Sequence, residues 1–305
     1  MSERRLVHIV DDVEELSGAQ SGPVLLVSLD GFLDAGHSSA LAVAHLASFG
    51  AGRVVASFDV DELHDYRARR PALTFHEDHY TDYDTPRLNV RLFHDQRATP
   101  YLLLHGPEPD IRWEAFARAV HDVVKAFGVR LVVSMGSVPM AVPHTRPVQL
   151  TNHATSQRLI TQHNVFSGEL RVPASAQALL EIRLGEWSVD ACGYVAHIPH
   201  YLAQFDYPQA AITLLEAVGA TAELSWDLGG LREAAAERAL DIAKQIDDSD
   251  EVRDVVAGLE QQYDAFEAGR AGSLLAEDRE LPTGEQIGAE FERFLAGLDE
   301  NEGDS

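Results

Sequence analysis

Val24–Leu29 (VLLVSL), closed by Asp30-Gly31 and followed over residues 32–50 by FLDAGHSSALAVAHLASFG, decides the fold class. Six nearly continuous apolar residues bounded by Gly22-Pro23 and Asp30-Gly31 predict a strand buried on both faces. Ser38–Phe49 is rich in Ala and Leu, opens on hydroxyl residues suited to capping, and stops at Gly50, so it predicts a helix. Arg53–Phe58 (RVVASF) supplies a second strand. The segment therefore predicts one β-α-β unit with a right-handed crossover.

The pattern recurs outward from that unit. Strands are predicted over 88–93, 101–105, 130–134 and 189–197, and helices over 111–127, closed by Gly128, over 173–184, opened by Pro173, and over 208–218, ended by Gly219. This alternation predicts an α/β sandwich over a core of residues 1–228, with helices on both faces of one sheet because continuous apolar runs need two-sided cover. Beyond Gly229-Gly230 the strand signals stop, and residues 231–305 carry 21 acids against 7 bases. Leu231, Ala235, Ala239, Ile242 and Ile246 form one apolar stripe, and Val252, Val256, Leu259, Tyr263 and Phe266 form another. An acidic helical hairpin extension over 229–298 follows, its main part at about 231–268, turning at Asp247–Asp250 and burying Val252, Leu259 and Phe266. Ile287–Leu298 is read as a last short helix and 299–305 as a disordered tail.

Composition excludes whole classes of function. The 305 residues hold 49 acids and 24 Lys plus Arg, for a net charge of −25, which repels phosphate backbones and anionic lipid. Neither nucleic acid nor membrane is an expected partner. A single cysteine, Cys192, sits in an apolar strand and is read as a buried, inert thiol, so no disulfide framework or thiolate metal cage is expected. No apolar stretch approaches the roughly 20 residues that span a bilayer, and residues 1–23 lack a signal-peptide core. A cytoplasmic protein is expected.

Walker A, G-x-G-x-x-G, G-x-S-x-G and H-E-x-x-H motifs are absent, so no catalytic residue is assigned. Asp34 and His37 lie where the first strand meets its helix, which is where open α/β folds place ligands, although Asp34 also suits a simple helix cap. Residues 59–71 crowd four acids against Arg67, Arg69 and Arg70, a pattern for an internal ion-pair network or a subunit contact. His76-Glu77-Asp78-His79 carries metal-ligand types without a defined geometry, and a solvated loop with no metal or cofactor is the reading kept. The proline-rich stretch 136–147 places His144 and Arg146 to receive an anion, with Asn152, His153 and Thr155 closing the same rim. Packing against a neighbouring subunit serves the stretch equally well.

GFLDAG (31–36), FDVDELHDYRARRP (58–71), GPEPDIRW (106–113), PMAVPHTRP (139–147), NHAT (152–155) and HIPHYLAQFDYP (197–208), taken in order, resemble the actinobacterial branch of the proteasome assembly chaperone 2 family over about residues 20–270. The resemblance implies a three-layer α/β/α sandwich of the purine nucleoside phosphorylase-like kind, homo-oligomeric, with a trimer favoured over a dimer. It implies no established reaction. Members that dock on proteasomes end in a hydrophobic-Tyr-any-residue tail, whereas this chain ends Asn301-Glu302-Gly303-Asp304-Ser305, so docking by that route is not expected. Two functions are therefore carried forward. One is a non-enzymatic interaction or assembly protein. The alternative is a ligand-binding protein or a hydrolase- or phosphorylase-like enzyme with its pocket at the strand C-terminal ends, around Asp34, His37, His144 and Arg146.

Overall fold

The computed structural model describes residues 5–16, 22–160, 164, 169–247 and 249–273. Among these residues ten strands are formed: β1 Val7–Ile9, β2 Val24–Asp30, β3 Arg53–Phe58, β4 Thr74–His76, β5 His79–Thr81, β6 Asn89–His94, β7 Pro100–Pro107, β8 Leu131–Met140, β9 Leu150–Ala154 and β10 Ala191–Pro199. The helices are α1 Ser38–Ser48, α2 Trp113–Phe127, α3 Ala176–Glu186, α4 Pro208–Ala222, α5 Gly229–Asp247 and α6 Asp250–Ser273. Eight strands make one sheet in the order β1-β3-β6-β7-β2-β8-β10-β9, while β4 and β5 form a separate two-stranded ribbon. The four central strands, β7, β2, β8 and β10, run parallel; β9 closes one side antiparallel, and β6, β3 and β1 alternate on the other.

Alternate residues of the central strands feed two apolar layers. Val24 and Leu26, with Tyr101, Leu103, Val133 and Tyr194, pack against Ala42 and Leu46 of α1, Leu214 and Val218 of α4, and Leu231 and Ile242 of α5. Leu25, Val27 and Leu29, with Leu102 and Leu104, pack against Phe116, Val120 and Val123 of α2 and Leu180 and Leu184 of α3. The three-layer α/β/α arrangement predicted from the continuous apolar runs is thus present. Each such side chain removed from water contributes roughly 1.5–3 kcal/mol.

Several boundaries differ from the sequence reading. β3 runs in the direction of β2, but β6 and β7 lie between them, so the two are not neighbours. The exposure of Arg53, Val54 and Ser57 is the local mark of this outer position. α3 begins at Ala176 because Ser175 Oγ accepts the Ala178 amide at 3.0 Å. α4 runs past Gly219 to Ala222, and glycine is required there because a Cβ would lie 2.8 Å from the Leu224 carbonyl oxygen of the returning chain. β8 extends through Gly136–Met140, beyond the strand predicted over 130–134, because this stretch stays in register with Val195–Pro199 of β10. Asn152 and His153 lie in strand β9, and the metal-like stretch 76–79 is the turn of the β4–β5 ribbon. Among the described residues no three His, Cys, Asp or Glu side chains gather to hold a metal ion.

The C-terminal helices form a hairpin, and α5 shares the apolar layer of α1 and α4. Of the predicted α6 stripe, Val256 and Leu259 are buried and Phe266 is half-buried. Val252, in the first turn of α6, is exposed, contrary to expectation. The helix read over 287–298 and the tail 299–305 lie outside the described residues. No described helix is long and apolar enough to cross a membrane.

Truncating one side chain of either layer, Leu103→Ala or Phe116→Ala, is expected to cost about 2–5 kcal/mol, read from the shift in urea midpoint at unchanged slope. A second expectation follows from His197 on β10, which is buried with Nε2 2.8 Å from Thr151 Oγ1. Burial pushes its imidazole from 6.5 down to about 4, so the folded chain keeps it neutral while an unfolded histidine takes up a proton below about 6.5. Its contribution is full above that pH and is lost as pH falls toward 4, so thermal melts should drop over this window. His197→Gln should flatten part of the drop.

Candidate functional site

The loops that follow the four parallel strands meet at one end of the sheet. In the loop after β2, Asp34 Oδ1 accepts hydrogen bonds from the Ser39 amide at 2.8 Å, the Ser39 hydroxyl at 2.5 Å and the Ala40 amide at 3.4 Å, so its carboxylate satisfies the first turn of α1. Ser137 of β8 ties this loop down: its amide donates to the Leu33 carbonyl and its hydroxyl to the Ala35 carbonyl. The Gly36 amide donates to the Ala203 carbonyl, and the Tyr207 amide donates to the Gly36 carbonyl, which joins this loop to the segment after β10. His37 is exposed and holds Asp206 at 2.7 Å.

The loop after β7 is clasped by the acid- and arginine-rich stretch 59–71. Asp110 Oδ2 accepts the Asp65 amide at 2.7 Å, and Asp110 Oδ1 meets Arg69 at 2.8 Å. The Asp110 amide in turn donates to the Leu63 carbonyl, and Arg112 pairs with Glu62. Arg69 also donates to the Glu108 carbonyl, while the Glu108 carboxylate accepts the Ala176 amide at 2.7 Å and so starts α3. Burial alone would raise the Asp110 carboxyl, but the Asp65 amide and the Arg69 guanidinium outweigh it and hold it below the ordinary carboxylate range. Asp30 goes the other way, raised by burial and then by the nearby Asp34 charge against a smaller pull from Arg69. Arg67 and Arg70 are exposed.

The loop after β8 is strapped by α6. Arg146 grips Asp264 through two bonds of 2.8 and 2.7 Å and reaches Glu260 at 3.3 Å. Thr145 donates to Glu260, and Gln149 donates to Glu267 at 2.9 Å. His144 sits against Tyr201, whose hydroxyl lies 2.7 Å from Nδ1 and accepts the His144 amide at 3.0 Å; burial lowers the affinity of this imidazole for a proton.

The ligand candidates read from the sequence are engaged with separate partners. Asp34 caps a helix, Arg146 is held by α6, and His144 pairs with a tyrosine. His153 stands on the α3 face of β9, 2.7 Å from Glu181, whereas Tyr201 packs in the layer on the opposite face. A cavity of about 300 Å³ lies at the other end of the sheet, lined by Pro23, Arg97, Arg130 and Glu223. The loops also leave apolar side chains outward: Phe32, Ile111 and Phe205 are each about half or more exposed. On the ribbon, Leu73, Phe75, Tyr80 and Tyr83 are likewise exposed, with the Phe75 and Tyr80 rings 5.1 Å apart. The sequence reading missed this ribbon, although Leu73 and Phe75 in alternation before a short polar turn, with Tyr80 after it, are a hairpin signal.

The comparisons with known proteins agree with this geometry. A protein of unknown function from Mycobacterium tuberculosis is 44% identical, with a TM-score of 0.84 over 90% of this chain and 94% of that one. One from Corynebacterium glutamicum, also of unknown function, is 37% identical, with a TM-score of 0.81 over 87% and 99%. A proteasome-assembly chaperone homologue from Mycobacterium tuberculosis shares the fold at 24% identity and a TM-score of 0.71 over 76% and 99%. No curated protein matches the sequence. The profile of the PAC2 family matches residues 28–246, a span that takes in all the loops converging at the strand ends, and the chain belongs to that family.

Proposed function

We propose that this chain is a cytoplasmic interaction protein of the assembly-chaperone kind, homo-oligomeric, with a trimer as the favoured state. The observation that carries the reading is the β4–β5 ribbon. A lone two-stranded ribbon is marginal in water, and this one exposes Leu73, Phe75, Tyr80 and Tyr83. Burying these side chains against a second copy contributes roughly 1.5–3 kcal/mol each, enough to offset ordering of the contact.

Charge supports a self-contact. The ribbon tip carries exposed Glu77 and Asp78, while Arg67 and Arg70 are exposed in the preceding stretch, so a basic patch of one copy fits the acidic tip of the next. Tip and patch are different surfaces, which suits a head-to-tail contact that closes into a ring. Of the other interaction candidates, Leu259 and Phe266 are turned to intramolecular packing, and Val252 is left outward for a further contact. The neighbour described as a proteasome-assembly chaperone homologue suggests protein subunits as the partner class. The rival pocket at the strand ends is opposed by the separate engagement of Asp34 with the start of α1, His144 with Tyr201 and Arg146 with α6.

Light scattering on the purified chain should show a closed oligomer at micromolar concentration, and Phe75→Ser with Tyr80→Ser should convert it to monomer without loss of helical signal. A monomeric parent chain, or a double variant that keeps the parent mass, contradicts the proposal.

A further inference from the structure

The register of the sheet sets three residues in one lateral row. Ser134 of β8 lies beside Gly193 of β10, and Gly193 lies opposite His153 of β9. Cys192 and Tyr194, the neighbours of Gly193, point into the layer of α1 and α4, so the row belongs to the α3 face. Glycine at 193 is what brings its neighbours together. A Cβ there would lie 2.2 Å from Ser134 Oγ, 2.3 Å from His153 Cε1 and 2.6 Å from His153 Nε2, so the hydroxyl and the ring edge share the space that a side chain would fill. From α3, Glu181 Oε2 holds His153 Nδ1 at 2.7 Å. A carboxylate at Nδ1 fixes the proton on that nitrogen and leaves Nε2, on the Ser134 side, as the base.

We infer that Ser134, His153 and Glu181 form a nucleophile, a general base and an orienting acid, a site that acts on short-chain carboxylic esters. The three side chains have the mutual order such chemistry needs, with the carboxylate on one ring nitrogen and the hydroxyl by the other. Ser134 is 7% exposed, which restricts the acyl group to a small one, while the His153 side chain is 37% exposed and gives the leaving group a way to water. In the acylation step Ser134 Oγ bonds to the ester carbonyl carbon and its proton passes to His153 Nε2. The carbon–alkoxide bond breaks, and the alkoxide takes that proton and leaves as the alcohol. Water then repeats the sequence against the acyl-serine, with its proton going to His153 and then to Ser134 Oγ as the carboxylic acid departs. Ser134 and Gly193 sit inside the strand ladders, where backbone amides are engaged, so the developing oxyanion receives little help. The chemistry is therefore slow, and capture of the acyl-serine reads it better than turnover.

The test exposes the full chain to p-nitrophenyl acetate, quenches in acid and maps acetylated peptides by mass. The expected result is acetyl on Ser134, absent in Ser134→Ala and formed on the order of 100-fold more slowly in His153→Gln, with thermal melts showing that both variants fold. As a readout independent of any variant, the acetylation rate of the parent chain should rise through one histidine ionisation and then level off. No acetyl on Ser134, an undiminished rate in His153→Gln, or a rate that climbs in proportion to hydroxide up to alkaline pH overturns the inference.

Discussion

Burial of the four central strands on both faces is the constraint on which the rest of the structure depends. With Leu25 and Leu26, or Leu102 and Leu103, pointing into opposite apolar layers, polar groups of the central parallel strands emerge chiefly where those strands end. Backbone groups at those ends are partly withdrawn from water and need partners, and an unpaired buried donor costs about 1–3 kcal/mol. The chain answers with carboxylates. Asp34, Glu108 and Asp110 each accept a backbone amide, respectively from Ser39, Ala176 and Asp65. Residue types that suggest chemistry in the sequence are thereby committed to holding loops and helix starts in place.

The same logic extends to the acidic C-terminal hairpin. Its charge excess reads from composition as a solvated face, yet Glu260, Asp264 and Glu267 meet Thr145, Arg146 and Gln149 on the loop after β8. Arg146 and Asp264 are both substantially exposed, so their attraction is screened by water and salt and works by geometry more than by strength. Leu231 and Ile242, packed with α1 and α4, supply the apolar attachment. Exposed apolar side chains stand on the loop tips, at Phe32 and Phe205, and on the ribbon, at Phe75 and Tyr80.

How much of this was legible in the sequence depended on whether a signal was local. The runs VLLVSL and YLLLH announced central strands because two-sided burial leaves no alternation, and Gly128 marked the end of α2, where it adopts a left-handed φ of 60°. The stretch 136–140 fell outside the strand predicted over 130–134 because Gly136 and Pro139 are poor strand residues; pairing with β10 overrides that preference. The ion network of 59–71 was visible as composition, but its chief partner, Asp110, lies 41 residues from Arg69 and only the fold brings them together. His153 was placed on a rim because nothing local revealed β9, and its true neighbours follow from register across three strands. Val252 fits the helical stripe and is exposed all the same, because periodicity says which face a residue is on and not whether a neighbour reaches it.

The account stands or falls on the strand-end loops being locked to one another. Native-state hydrogen exchange at the amides of Ser39, Asp65 and Ala176, the donors to Asp34, Asp110 and Glu108, tests this most directly. Protection comparable to that of the amides of β2 and β7 is the predicted result. Exchange at the rate of an open loop would mean that these carboxylates are free in solution, and it would contradict the account.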